Sequence, residues 1–224
     1  MSLRTLLALA LALPLALAAA AANAEVALYP TGPGEDSAFL RFVNVAPGAL
    51  KMQAGGSSAS LDLDDANKVS SYLPVPANKA IKGTLSRGGQ SAPLDLQVAP
   101  GEFATVFAFD NGGKISQRVV REQPDDFNGL KASLAFISLD ATCQGASLRP
   151  AGRNADLFKD AADGSVQRRS INPVKLSVQL VCANANVGEP LDLGELKAGE
   201  RYSVMLLPGA NGPQLLNATD TLAN

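Results

Sequence analysis

The chain has 224 residues, 19 of them basic and 21 acidic, for a formal net charge of −2, and 46% of its residues are hydrophobic. That length suits one large or two ordinary domains, and the near-balance of charge leaves no footprint for nucleic acid. Histidine and tryptophan are both absent, which excludes Ser-His-Asp and Cys-His nucleophile systems built from this chain alone.

The N-terminus opens with one basic residue in Met1-Ser2-Leu3-Arg4-Thr5. A Leu- and Ala-rich run over 6–20 follows, broken by Pro14, and ends in Ala22-Asn23-Ala24. A short basic start, an apolar stretch and an A-x-A site predict a secretory signal peptide over 1–24. The apolar run falls short of the roughly 20 residues a membrane-spanning helix needs. The mature chain is therefore expected to start at Glu25 and to be periplasmic. From Ser37 onward the pattern is that of strands. Phe39, Arg41, Val43 and Val45 alternate with Leu40, Phe42 and Asn44, and both sets are largely apolar, as in a central strand. Residues 79–85 alternate more cleanly, and Lys175-Leu176-Ser177-Val178-Gln179-Leu180 alternates strictly. Turn signals separate the runs at Pro47-Gly48, Gly55-Gly56, Arg87-Gly88-Gly89, Pro100-Gly101, Asn111-Gly112-Gly113, Pro208-Gly209 and Asn211-Gly212. One helix is expected, over 154–162, starting from an Asn154 cap and stopped by Gly164.

The chain repeats itself. Ala38-Phe39-Leu40-Arg41-Phe42-Val43-Asn44-Val45 aligns with Ala132-Ser133-Leu134-Ala135-Phe136-Ile137-Ser138-Leu139. The run 78–85 aligns with 173–180, Leu94-Asp95-Leu96 with Leu191-Asp192-Leu193, and Gly101-Glu102-Phe103 with Gly199-Glu200-Arg201. Between the copies, Arg121-Glu122-Gln123-Pro124-Asp125-Asp126-Phe127-Asn128-Gly129 has Pro, charges and Gly but no periodicity. These features predict an all-β protein of two tandem immunoglobulin-like β-sandwich domains, over 25–120 and 131–224, joined by a short linker at 121–130. Both cysteines, Cys143 and Cys182, lie in the second copy. In an exported chain they predict a disulfide worth about 4 kcal/mol on the chain-entropy account.

Chemistry is sparse. The carboxylate clusters are Glu35-Asp36, Asp62-Asp64-Asp65 and Asp125-Asp126. Paired carboxylates can cleave sugars, but such sites also use aromatic platforms, and this chain has three Tyr and no Trp. The Asp62 cluster lacks EF-hand spacing and reads as a solvated turn. No metal and no cofactor are expected. Arg168-Arg169 beside Asn172-Pro173, with Arg153 and Lys175, forms a basic group that could grip carboxylates on an acidic sugar or on a partner. Tyr29 and Pro30, with Glu35 and Asp36, lie outside the strand pattern and form a candidate docking segment.

Several stretches resemble the AlgF family of alginate O-acetylation proteins. They are Val26-Ala27-Leu28-Tyr29-Pro30-Thr31-Gly32-Pro33, Ile81-Lys82-Gly83, Pro100-Gly101-Glu102-Phe103-Ala104-Thr105-Val106, the linker motif, Gln167-Arg168-Arg169, Asn172-Pro173-Val174 and Leu191-Asp192-Leu193-Gly194. The resemblance covers nearly all of the mature chain. It implies a periplasmic adaptor with no catalytic residue of its own. Its partners would be a membrane acyltransferase and periplasmic acetylation proteins of hydrolase fold, with direct binding of the polyuronate alginate as the alternative. A role as acetyl carrier or transferase in its own right stands third.

Overall fold

Side-chain alternation becomes sixteen strands in the computed structural model of the chain, which describes residues 37–123 and 128–223. The first copy contains β1 (Ser37–Asn44), β2 (Leu50–Ala54), β3 (Ser60–Leu63), β4 (Leu73–Pro76), β5 (Ile81–Arg87), β6 (Gln90–Leu96), β7 (Phe103–Asn111) and β8 (Lys114–Glu122). These make two four-stranded sheets, ordered β4-β1-β7-β8 and β3-β2-β5-β6. The second copy contains β9 (Ala132–Ser138), β10 (Ala146–Pro150), β11 (Phe158–Ala161), β12 (Val166–Ile171), β13 (Val174–Cys182), β14 (Ala185–Leu196), β15 (Arg201–Gly209) and β16 (Gly212–Thr219). Its sheets, β12-β9-β15-β16 and β11-β10-β13-β14, repeat the same order.

The repeat extends to register. Phe39 pairs with Phe103 across the parallel β1–β7 ladder, and the aligned residues Ser133 and Arg201 pair across β9–β15. Gly83 faces Leu94, and the aligned Val178 faces Leu191. Each sandwich closes over its own core. The first is built on Leu40, Phe42, Leu50, Leu85 and Val106, and the second on Leu134, Phe136, Leu148, Leu180 and Leu206.

A third core lies between the copies. Val43, Val45, Phe107 and Val120 pack against Ile137, Leu139, Met205 and Leu207. This accounts for the doubly apolar first strand. Leu40 and Phe42 point into their own sandwich, while Val43 points into the core between the copies. Four sheets therefore stack in sequence, and the two inner ones are buried on both faces, as doubly apolar runs require. The chain end secures the stack. Beyond β16, Thr221 accepts the Tyr72 N–H at 2.8 Å, and the Ala223 N–H donates to the Tyr72 carbonyl at 2.8 Å, so the tail of the second copy runs along the first.

Two sequence readings meet the structure directly here. Cys143 and Cys182 are disulfide-bonded, with Cα atoms 4.9 Å apart, tying the turn before β10 to the end of β13. The helix expected over 154–162 is instead an irregular, bent stretch over 154–157 followed by β11. Phe158 and Ala161 are both buried at a spacing of three, which imitates a helical face. The β10–β11 ladder shifts register between Ala146 and Leu148, and that bulge lets both residues face inward from a strand.

Candidate functional site

The interface between the copies holds a buried charge network beside its apolar core, and a more exposed Arg118–Asp163 pair at 2.9 Å also crosses it. Arg41 sits on the outward face of β1, and its side chain is 1% exposed. Its Nη1 donates to Asp220 Oδ1 at 2.6 Å, its Nη2 to Ser203 Oγ at 3.3 Å and its Nε to Thr105 Oγ1 at 3.3 Å. The guanidinium also lies 4.4 Å from the centre of the Tyr72 ring. Asp220 accepts two further bonds, from Ser203 Oγ at 2.7 Å and Arg168 Nη2 at 3.0 Å. Arg168 forks onto Glu122, with Nη2 2.9 Å from Oε2 and Nε bonded to Oε1, and donates to Ser133 Oγ at 3.1 Å. Arg201 approaches the same Glu122 at 3.8 Å and stacks over Phe103 at 4.9 Å.

Three guanidiniums thus hold two carboxylates. Burial by itself raises the Asp220 carboxyl. The charges of Arg41 and Arg168 and the Ser203 hydrogen bond outweigh it, leaving the group below the ordinary carboxylate value. Burial lowers the Arg168 guanidinium, but its bonds to Glu122 and the charges of Glu122 and Asp220 more than reverse that. Arg201 is lowered, by burial first and by the neighbouring Arg168 charge second. Tyr72 is raised by burial and stays protonated. Ser203 is hydrogen-bonded to a carboxylate, as a nucleophile beside a base would be. It is also 1% exposed, and an Asp220 held ionised by its partners takes no proton at neutral pH. The network is suited to joining the sandwiches rather than to acyl transfer.

A second feature opens on the outer end of the second sandwich. A slot of about 650 Å³ has an aliphatic floor of Pro150, Leu157, Ile171 and Leu176, and Arg153, Asn172 and Lys175 at its rim. Arg169 donates to the Leu157 carbonyl at 2.7 Å, and Lys131 Nζ to Asn172 Oδ1 at 2.6 Å, so both flank the slot. The first sandwich has an apolar cavity of about 280 Å³ between its sheets, lined by Leu40, Phe42, Met52 and Leu61. Leu61 stands opposite Met52, where the second copy sets Phe158 opposite Leu148. Phe158 packs on Phe136 at 5.8 Å and fills the equivalent space.

The structure divides the basic group expected from sequence. Arg153 and Lys175 line the slot and Arg169 borders it, whereas the Arg168 side chain is 12% exposed and committed to the interdomain network. Tyr29, Pro30, Glu35 and Asp36 lie outside the described residues, as does the expected signal peptide over 1–24. Asp64 caps its own turn by accepting the Ala66 and Asn67 N–H groups at 3.0 and 2.7 Å. No cluster of three metal-ligating side chains occurs among the described residues. No helix among them is long and apolar enough to cross a membrane. Sequence reasoning missed Arg41, Glu122, Arg201 and Asp220. The available signal was Arg41, a lone charge on the face that Phe39, Val43 and Val45 otherwise make apolar.

A family model described as "Alginate O-acetyl transferase AlgF" matches residues 8–203. No curated protein sequence matches the chain. Similar solved structures include the family 26 carbohydrate-binding module CBMbc from Eubacterium rectale Amy13K, in complex with maltoheptaose. It is 11% identical over 84% of this chain and 99% of its own, with a TM-score of 0.27. A candidate cell adhesion protein from Bacteroides fragilis is 12% identical over the same shares, with a TM-score of 0.25. At such scores the strand order itself, not the likeness, defines the fold.

Proposed function

Because the chain belongs to the AlgF family, and so has a role in alginate O-acetylation, we propose that it plays this role as a non-catalytic adaptor in the periplasm. In this reading it bridges a membrane acyltransferase and periplasmic acetylation proteins of hydrolase fold, and the acetyl-transferring nucleophile belongs to those partners. The observation that carries the reading is the buried Arg41–Asp220–Arg168–Glu122 network, which ties the two sandwiches together. A bridge needs two surfaces held at a fixed separation, and that interface supplies the rigidity. The absence of histidine from the chain agrees with chemistry done elsewhere.

The test is recovery of the acetylation machinery on a tagged membrane acyltransferase, in alginate-producing cells with and without this chain. The adaptor reading expects the hydrolase-fold proteins to co-purify only when the chain is present. Equal recovery from cells lacking it rules the bridge out. A second reading, direct binding of the polyuronate, is favoured by one observation, the gathering of Arg153, Arg169 and Lys175 at the slot.

A further inference from the structure

Ten of the eighteen basic side chains among the described residues have a carboxylate within 4.0 Å, and of the eight that do not, four gather at the basic slot of the second sandwich. Arg41, Arg118, Arg121, Arg149, Arg168 and Arg201 each have a carboxylate within 4.0 Å. Lys131, Arg153, Arg169 and Lys175 form no such pair among the described residues, and all four surround one slot. The nearby Asp156 is taken by Arg149. Glu195 lies opposite Lys175 in the β13–β14 ladder without forming an ion pair. On a chain of net charge −2, four cations without an ion pair at one opening, against the single facing acid Glu195, make a local field for an anionic ligand.

The floor decides which kind of anion. Pro150, Leu157, Ile171 and Leu176 are aliphatic, no aromatic ring lines the slot, and Val174 at its edge is 46% exposed. Leu130, next to Lys131, is 82% exposed. A uronate polymer carries carboxylates but no apolar side chain, and would leave this surface wet. A peptide with one or two large apolar residues flanked by Asp or Glu satisfies both parts: the anchor fills the slot and the acids meet the rim.

We propose that this slot docks an acidic, apolar-anchored segment of a protein partner. The inference rests on the adaptor reading and assigns one of its two surfaces to the second sandwich.

The probes are a fluorescein-labelled peptide Glu-Asp-Leu-Phe-Glu-Asp, a hexaglutamate and a mannuronate hexamer, each titrated into the mature chain by anisotropy. The anchored peptide is expected to bind at least about ten-fold tighter than either of the others. It should weaken by about ten-fold or more with Arg153→Glu/Lys175→Glu, the effect of reversing two exposed rim charges. Val174→Ser, a neutral change at an exposed position that leaves the core intact, should weaken the anchored peptide and leave hexaglutamate unchanged. Tightest binding by the mannuronate hexamer overturns the proposal in favour of polymer capture. No binding of the peptide, or binding indifferent to both variants, overturns it outright. Co-purification on the tagged acyltransferase separates the two levels. If wild type and the rim variant bridge equally, the slot is wrong and the adaptor stands. If wild type itself bridges nothing, the adaptor reading falls.

Discussion

Replacing Asp220 by Asn keeps the shape of the side chain and removes its charge. Arg41, whose side chain is 1% exposed, then loses its only carboxylate among the described residues, and Arg168 keeps Glu122. Leaving a buried guanidinium uncompensated costs about 3–5 kcal/mol. With its amide oxygen at the Oδ1 position, Asn can still accept the bonds from Arg41 and Ser203 and loses only the one from Arg168, which places the expected loss near the lower end. At about 2–4 °C per kcal/mol for a chain of this size, Tm falls by roughly 6 °C or more. The damage is confined to the seam, so calorimetry should show the single transition of the wild type separating into two, one per sandwich. Arg41→Met fills the same space without charge, and Arg41→Met/Asp220→Asn should recover part of the loss, giving a coupling well above 0.5 kcal/mol. A Tm for Asp220→Asn within 1 °C of wild type, with one transition retained, would refute the network as the element that rigidifies the chain.

Other outcomes follow from the same coordinates. Asp220 is held below its ordinary 3.8 in the folded state, so its contribution is intact above that value and is lost as pH falls through the lower folded one. Tyr72 is raised above 10.0, so its contribution is intact below pH 10 and lost as pH rises through the folded value. The part of Tm against pH that these two groups contribute should therefore be flat between these limits, and Tyr72→Phe should remove the Tyr72 part of the alkaline decline. Reduction of the Cys143–Cys182 bond, which spans 39 residues, should cost about 4 kcal/mol, read by chemical denaturation with and without reductant. Leu61→Phe transplants the solution of the second copy, where Phe158 fills the space, into the cavity of about 280 Å³ in the first. It should stabilise the chain by about 1 kcal/mol, and a destabilised variant would show that the cavity cannot accept a ring.

What could be read from sequence was what is local or repeated. The pairing of Phe39 with Phe103 and of Ser133 with Arg201 follows the alignment of the copies, because each copy solves the same packing problem with the same alternation. The Cys143–Cys182 bond followed from an even pair in a chain whose N-terminus reads as a signal peptide. The Phe158–Ala161 strand did not, since a bulge produces the same spacing of apolar residues as a helical turn. The charge network was out of reach for a different reason. Arg41 and Asp220 are 179 positions apart, and nothing local about either residue says that they meet. Arg41 was visible only as a misfit on an apolar strand face, and Arg168 looked like a surface charge beside Arg169 because strand alternation does not say which face another domain covers. Arg153, Arg169 and Lys175 do gather, because β12 and β13 flank one opening.

The most direct test of a non-catalytic coupling role is made on one preparation of the chain from Glu25 onward. It is immobilised and exposed to periplasmic extract of an alginate-producing cell, with bound proteins identified by mass spectrometry, and the same preparation is assayed for acetyl-ester turnover. The account predicts capture of the hydrolase-fold acetylation proteins and no turnover by the chain alone. Turnover that survives removal of every contaminating hydrolase would contradict it and place a working nucleophile in a chain without histidine.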